Sequence, residues 1–391
     1  METISLKKNE ERRILNGHQW VFSNELQEVP KHIASGTVVR LHSGSGRFLG
    51  IGFFNAHSLI SFRVLSAQDE KIGHDFFERR LLEAAGLRER LYPESISNAW
   101  RLIHSESDRL PGLIIDRFGS SFSIQTFSAG MELHLDMICE VLQKLYAPKA
   151  IVIRNESKLR ELEGLDTYKR TVFGDASEPV EIYDSGIRYL VELLEGHKTG
   201  FFLDQRENRK RIRPFASGAE VLDVFTSDGG FALNAAFADA KSVLAIDASE
   251  PALLRTRRNA SLNALQGIET ECGDAFDTLE RLCSSGKRFD LVILDPPSMT
   301  KSRKTIPTAL KAYRKLNRLG IQLVRKGGFL ATASCSHHIS DDVFLDTAQK
   351  AGQEQNRFLR LLEFASQAPD HPIQLAMPET KYLKFSLFHV A

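Results

Sequence analysis

The chain has 391 residues, 42% hydrophobic and 26% charged, which excludes one small domain, a disordered chain and a coiled coil and predicts two or three globular units. Lysine and arginine number 51 against 50 aspartates and glutamates, so the net charge of +1 names no partner and any nucleic-acid surface must come from local clustering. Cys139, Cys272, Cys283 and Cys335 form no Cys-x-x-Cys pair, which removes a zinc ribbon and a disulfide framework and predicts free thiols and no metal site. No apolar run reaches the ~20 residues of a membrane span, and the start lacks the apolar core of a signal peptide, so a soluble cytoplasmic protein is expected.

Residues 1–72 read as short strands with turn punctuation, at 36–42, 48–54 and 59–65 around Ser43-Gly44-Ser45-Gly46, which predicts a small β-barrel. A helical pattern from Asp75 to Leu91 stops before Pro93. Between residues 73 and 178 strand-like runs (113–118, 121–127, 150–154) and a helix over 131–146 predict an α+β domain. Two runs within 179–195, joined at Ser185-Gly186, read as a β-hairpin linker.

From residue 196 to 391 the pattern is regular. Strand-like runs at 220–225, 242–247, 268–272, 289–294 and 329–334 alternate with helical segments, as a doubly wound α/β sheet requires. In such sheets ligands bind beyond the carboxyl ends of the strands. Those ends hold Asp223, Asp247, Asp274, Asp295 and Cys335.

A pyrophosphate ligand wants Gly-x-Gly-x-x-Gly after the first strand, whereas Phe225 and Ser227 fill two of those glycine positions here. An acid-rich turn suits a ligand carrying a sulfonium and an ammonium, as S-adenosylmethionine does. Asp247 is placed to accept ribose hydroxyls, although NAD would use the same acid. Asp274 and Ala275 are placed to read adenine, the plain alternative being that Asp274 caps its helix. Leu294-Asp295-Pro296-Pro297 is more specific, because two prolines after a buried strand fix the chain and leave Asp295 facing the cleft, where a planar base can be held.

Residues 298–320 then carry Lys301, Arg303, Lys304, Lys311, Arg314, Lys315 and Arg318 with no acid, a pattern suited to a phosphate backbone. A second cluster sets Lys198, Arg206, Arg209, Lys210, Arg211 and Arg213 against Asp204 and Glu207. Cys335, at a strand end between Ser334 and Ser336 with His337 following, is placed to act as a thiolate nucleophile, whereas a buried cysteine is more often an inert small hydrophobe.

These residues resemble a known family, the class I S-adenosylmethionine-dependent RNA methyltransferases with an N-terminal PUA domain, whose characterised members make 5-methylcytosine in large-subunit ribosomal RNA. The resemblance spans nearly the whole chain. Gly17-His18-Gln19-Trp20-Val21-Phe22 and 49–55 are similar to the PUA segment, and 110–119 to the central domain. Most distinctive is the stretch 198–209, Lys-Thr-Gly-Phe-Phe-Leu-Asp-Gln-Arg-Glu-Asn-Arg, which in the family closes over the cofactor. The turn 223–231 departs from the commoner Cys-Tyr-Thr-Gly-Gly-Phe form by carrying Thr226-Ser227-Asp228 before its glycines. Ser298 stands where related cytosine methyltransferases often carry a second cysteine.

The resemblance implies a Rossmann-like methyltransferase domain behind a PUA-like RNA-binding domain. It implies S-adenosylmethionine held by Gln205, Arg206, Asp223, Phe225, Thr226, Gly229, Gly230, Asp247, Asp274, Ala275 and Asp295. Cys335 and Asp295 would be catalytic, and Pro296, Pro297, Lys301, Arg303, Lys304 and Arg209 would meet RNA. The partner is expected to be large-subunit ribosomal RNA, with no membrane and with a homodimer left open. Two other readings stand: methylation of an exocyclic amine (guanine N2 or adenine N6) in RNA, with Cys335 incidental, and a non-catalytic RNA-binding or ribosome-assembly protein.

Overall fold

The strand-rich start pairs around its glycine turns in the computed structural model, which describes every residue except His197, Lys198 and Lys301. β1 (Thr3–Ser5), α1 (Arg12–Leu15), β2 (Trp20–Phe22), β3 (Val38–His42), β4 (Phe48–Phe54) and β5 (Ile60–Ser66) build a five-stranded sheet of order β1-β3-β4-β5-β2. Alternate residues Val39 and Leu41 join Phe54 and Phe62 in one buried cluster, the period of two that a half-buried strand imposes. Gly52 is required where β4 meets β5, since a Cβ there would stand 2.0 Å from the Arg63 carbonyl oxygen.

α2 (His74–Leu91), β6 (Ala99–His104), β7 (Leu113–Phe118), β8 (Ser121–Thr126), α3 (Ala129–Leu133), α4 (Leu135–Tyr146), β9 (Ala150–Asn155) and β10 (Tyr168–Gly174) follow, the strands ordered β10-β9-β8-β7-β6. The helix expected over 131–146 is interrupted at His134. Phe77 and Leu81 of α2, Ile138 and Leu142 of α4 and Ile115 and Ile124 of the sheet share one core. Both sheets lie in a compact unit of Met1–Tyr183, Val191–Leu203 and Pro369–Thr380. β11 (Val180–Asp184) and β12 (Ile187–Val191) form a two-stranded ribbon. Its two turn residues, Ser185 and Gly186, have φ of 52° and 91°, the left-handed pair that tight hairpins favour.

The second unit comprises Asp184–Leu190, Asp204–Ala368 and Lys381–Ala391. Its elements are α5 (Arg206–Arg211), α6 (Arg213–Ala216), β13 (Glu220–Val224), α7 (Gly230–Phe237), β14 (Ser242–Asp247), α8 (Glu250–Leu262), β15 (Ile268–Cys272), α9 (Ala275–Ser284), β16 (Phe289–Leu294), α10 (Ile306–Leu323), β17 (Val324–Ser334), α11 (Asp341–Glu354), β18 (Leu359–Ala365) and β19 (Lys384–Val390). The seven strands are ordered β15-β14-β13-β16-β17-β19-β18. Neighbours from β15 to β17 are parallel, and β19 runs antiparallel between β17 and β18. β13 and β16 are buried on both faces, which is why they read as almost unbroken apolar runs. The order reverses at β13, so its carboxyl end and that of β16 frame the crevice where such sheets bind ligands.

Candidate active site

After β13 the chain turns through Phe225 to Gly229 into α7. Phe225 and Ser227 adopt φ of 66° and 52°, each of which costs an L-residue roughly 1–2 kcal/mol. Local bonds hold them there. The Asp223 Oδ2 accepts from the Thr226 hydroxyl at 2.6 Å and from the Ala232 amide at 2.9 Å, tying the strand to both turn and helix. The Thr226 amide donates to the Ile246 carbonyl at 3.0 Å. Asp247 at the end of β14 accepts from the Ser227 and Ser249 amides, both at 2.9 Å.

Asp223 is fully buried, and burial raises its carboxyl to about 6 against the Thr226 and Ala232 hydrogen bonds. Its Oδ1 accepts no hydrogen bond among the described residues. Asp228, the acid that sets this turn apart, is spent elsewhere: it accepts from Arg255 of α8 at 2.6 Å. Gly230 has no room for a side chain, since a Cβ would lie 2.4 Å from the Arg209 Nε.

β16 delivers Asp295 into the same crevice. The Gln205 Nε2 donates to Asp295 Oδ1 at 2.8 Å, and Asn208 Nδ2 orients Gln205 by donating to its Oε1 at 2.7 Å. Burial pushes Asp295 up to about 7, with Asp204 and then Asp223 adding repulsion and Arg209 and Gln205 opposing it. Asp204 in turn accepts from the Tyr382 hydroxyl at 2.6 Å.

One strand over, β17 ends in Ser334-Cys335-Ser336, with Cys335 half-buried between two buried serines. The Ser334 hydroxyl donates to the buried Tyr313 hydroxyl at 2.9 Å, and the Tyr313 and Ser336 hydroxyls are 3.0 Å apart. Ser298 joins Ser336 at 3.1 Å and donates to the Thr300 carbonyl at 2.9 Å. The serine side chains on both sides of the thiol are thereby tied to one another through Tyr313, and the Ser336 amide donates to the Ser334 hydroxyl at 3.3 Å.

The remaining expected site residues are placed differently. Asp274 is exposed and caps α9, accepting from the Phe276 amide at 2.8 Å and the Asp277 amide at 3.2 Å, with buried Ala275 opening the helix. Arg206 is buried 3.8 Å from Asp184, so it braces the hairpin. Arg209, expected to meet RNA, is buried instead and bears on Asp223 and Asp295, where its charge offsets the acid cluster. Pro296 is buried and Pro297 exposed.

The acid-free run is balanced through space: Arg314 and Arg318 pair with Glu354 of α11, and Lys315 with Glu280 of α9 at 2.8 Å. Arg303, Lys304 and Lys311 are exposed and make no ion pair among the described residues. In the second cluster Lys210 pairs with Glu207 at 2.6 Å and Arg211 with Glu363 at 3.1 Å, while Arg213 donates to Asn234 at 2.8 Å. Lys198 and Lys301 lie outside the described residues.

Tyr313 and Lys384 complete the site without having been singled out in sequence, and Asp204 and Asn208, noted there only within the 198–209 stretch, join it through Tyr382 and Gln205. Only Tyr313 left a signal, since a buried tyrosine hydroxyl demands a partner.

A crevice with Asp223, Asp247 and Asp295 at its edge, one buried carboxylate oxygen of Asp223 lacking a hydrogen-bond partner among the described residues, fits a ligand bearing positive charge better than a pyrophosphate. Residues 155–380 match the model of the S-adenosylmethionine-dependent methyltransferases. The chain belongs to that family. Residues 4–67 of this methyltransferase match a PUA-like domain. Proteins named ribosomal RNA large subunit methyltransferase I are similar over its length: that of Erwinia tasmaniensis is 37% identical and that of Aeromonas salmonicida 36%, each alignment covering 97% of both chains. Two solved chains share the fold at 21% identity and full coverage of both chains. One, a methyltransferase in complex with SAH, has a TM-score of 0.87, and one from Streptococcus mutans has 0.85.

Proposed function

We propose that this methyltransferase forms 5-methylcytosine in large-subunit ribosomal RNA, in the cytoplasm, with Cys335 as nucleophile. One observation carries the reading: a thiol between two hydrogen-bonded serines at the end of β17, one strand from a carboxyl of raised pKa at the end of the parallel neighbour β16. The names of its relatives support the choice of RNA.

C5 of cytosine is a poor nucleophile until a thiolate adds to C6. The Cys335 Sγ forms the bond to C6, and the C5–C6 electron pair is pushed toward N3 and O2. Asp295, about half of it neutral at pH 7, donates its proton to N3 and returns to carboxylate beside Gln205 and Arg209. Bound S-adenosylmethionine supplies an electrophilic methyl group for C5. Loss of the C5 proton to a base then re-forms the C5–C6 double bond and breaks the Sγ–C6 bond, releasing the thiolate, while N3 returns its proton to Asp295.

The cofactor would be held by the turn from Asp223 through Phe225, Thr226 and Gly229 to Gly230 and by Asp247, each of whose oxygens retains a lone pair beyond its amide bond. Asp274 keeps one oxygen clear of its capping bonds for an exocyclic amine. Pro296 and Pro297 would support the base, and the PUA-like domain with Arg303, Lys304 and Lys311 would hold phosphates.

The test is RNA carrying 5-fluorocytosine at the target. Fluorine cannot leave C5 as a proton does, so the wild type should be trapped covalently and Cys335→Ala should be neither trapped nor active while still binding S-adenosylmethionine. Full methyl transfer by Cys335→Ala would overturn the mechanism in favour of an exocyclic amine.

A further inference from the structure

We infer that Lys384 is the positioning residue that keeps the Cys335 thiol in its thiolate form. The inference rests on Cys335 being the nucleophile. Lys384 opens β19 and lies directly opposite Ser334 in the antiparallel register, one residue from the thiol. It is 4% exposed, a depth at which lysines are rarely found unless paired. Its Nζ donates to the Ser336 and Tyr382 carbonyls, each at 3.0 Å, so it is bonded to the residue that follows Cys335 as well as lying opposite the one before it. Both acceptors are neutral and the ammonium has three N–H donors, which leaves its charge unmatched and one donor beyond the two carbonyls.

No carboxylate contacts Lys384 among the described residues, and every charged neighbour is committed elsewhere or weakly placed. Asp341 of α11 pairs with Lys381. The Tyr313 hydroxyl from α10 is taken up by Ser334 and Ser336, and that of Tyr382 by Asp204. The His337 ring lies 5.5 Å from that of Tyr382 at a tilt of 36° and, like that of His338, is exposed. Burial lowers the Lys384 pKa, while Asp341 and Cys335 raise it again. A buried ammonium lacking a contacting anion is stabilised when the adjacent thiol ionises, and by the same coupling the thiolate is favoured. The peptide clamp and the charge act together: Tyr313 and Ser298 fix where the sulfur sits, and Lys384 sets its charge.

The experiment is the pH dependence of Cys335 alkylation by iodoacetamide, read on the Cys335 peptide by mass spectrometry in the full-length protein. Lys384→Met should raise the midpoint by about one pH unit or more. Lys384→Arg should stay close to wild type, and Tyr313→Phe should alter the rate but not the midpoint. Each variant is first checked for S-adenosylmethionine binding by calorimetry. An unmoved midpoint in Lys384→Met overturns the inference. If that variant does not bind cofactor, Lys384→Gln is measured instead, with the same criterion. A moved midpoint in Lys384→Met without 5-fluorocytosine trapping of the wild type would refute the nucleophile reading alone; trapping with an unmoved midpoint would refute the role of Lys384 alone.

Discussion

Replacing Asp295 with asparagine should stabilise the protein at neutral and alkaline pH while abolishing its chemistry. The side chain keeps its shape, and its Oδ1 can still accept the Gln205 bond. What disappears is a carboxyl moved from 3.8 to about 7. Because the folded value lies above the unfolded one, the stability tied to this group is fully present below pH 3.8 and is lost as pH rises through 7. At about 1.4 kcal/mol per tenfold change, the ionised folded form is burdened by roughly 4 kcal/mol, and asparagine escapes that burden. The advantage of Asp295→Asn over wild type should therefore widen by ~2–3 kcal/mol between pH 5 and pH 8. For a unit of this size that corresponds to a relative gain in Tm of ~5–10 °C. Scanning calorimetry of both proteins at pH 5, 6, 7 and 8 measures it. A constant difference across that range, or an Asp295→Asn protein that loses ground as pH rises, would refute the account of Asp295 as a recessed, partly neutral acid.

Asp247→Ala should weaken S-adenosylmethionine binding by ~1–3 kcal/mol in calorimetry, because it removes both the ribose acceptor and the bond that orders the Ser227 amide; unchanged affinity would move the ribose elsewhere. Gly230→Ala should destabilise the fold by ~1–3 kcal/mol in urea titration, since its Cβ overlaps the Arg209 guanidinium; a neutral result would mean that Arg209 can move away freely. RNA affinity should fall with salt by roughly 0.7 log units per log unit for each phosphate contact. Arg303→Ala with Lys304→Ala should flatten that slope, whereas Arg314→Ala with Arg318→Ala, already paired with Glu354, should leave it unchanged. Equal effects of the two pairs would contradict this division of the basic run.

The parallel core of the second sheet was legible because β13 and β16 are buried on both faces and are mostly apolar, each carrying or followed at once by an acid of the crevice. The hairpin was legible for a local reason, Ser185-Gly186 being able to adopt the left-handed pair. β18 and β19 were not. β18 is largely exposed, and the place of β19 between β17 and β18 depends on pairing across the sheet rather than on chain order. The same distance hid Lys384, which meets Cys335 only through the β17–β19 register. Charge misled in two places. Arg209 read as an RNA-facing cation until folding buries it, and the run on α10 read as unbalanced because its acids come from α9 and α11.

The position of β19 also governs when the sheet edge that carries Cys335 is completed. β17 and β18 precede β19 in the chain, yet neither pairs with the other; each bonds to β19, and between β18 and β19 the chain makes an excursion through Pro369–Thr380 into the first unit. A growing chain that has emerged only as far as β18 therefore presents β17 with an unpaired edge, the kind that recruits strands from other molecules. Adding β19 closes that edge and, in the same step, brings Lys384 to the carbonyl of Ser336. Protection of the sheet and completion of the surroundings of Cys335 thus coincide, and an incomplete chain would be both vulnerable to association and short of one wall around that thiol.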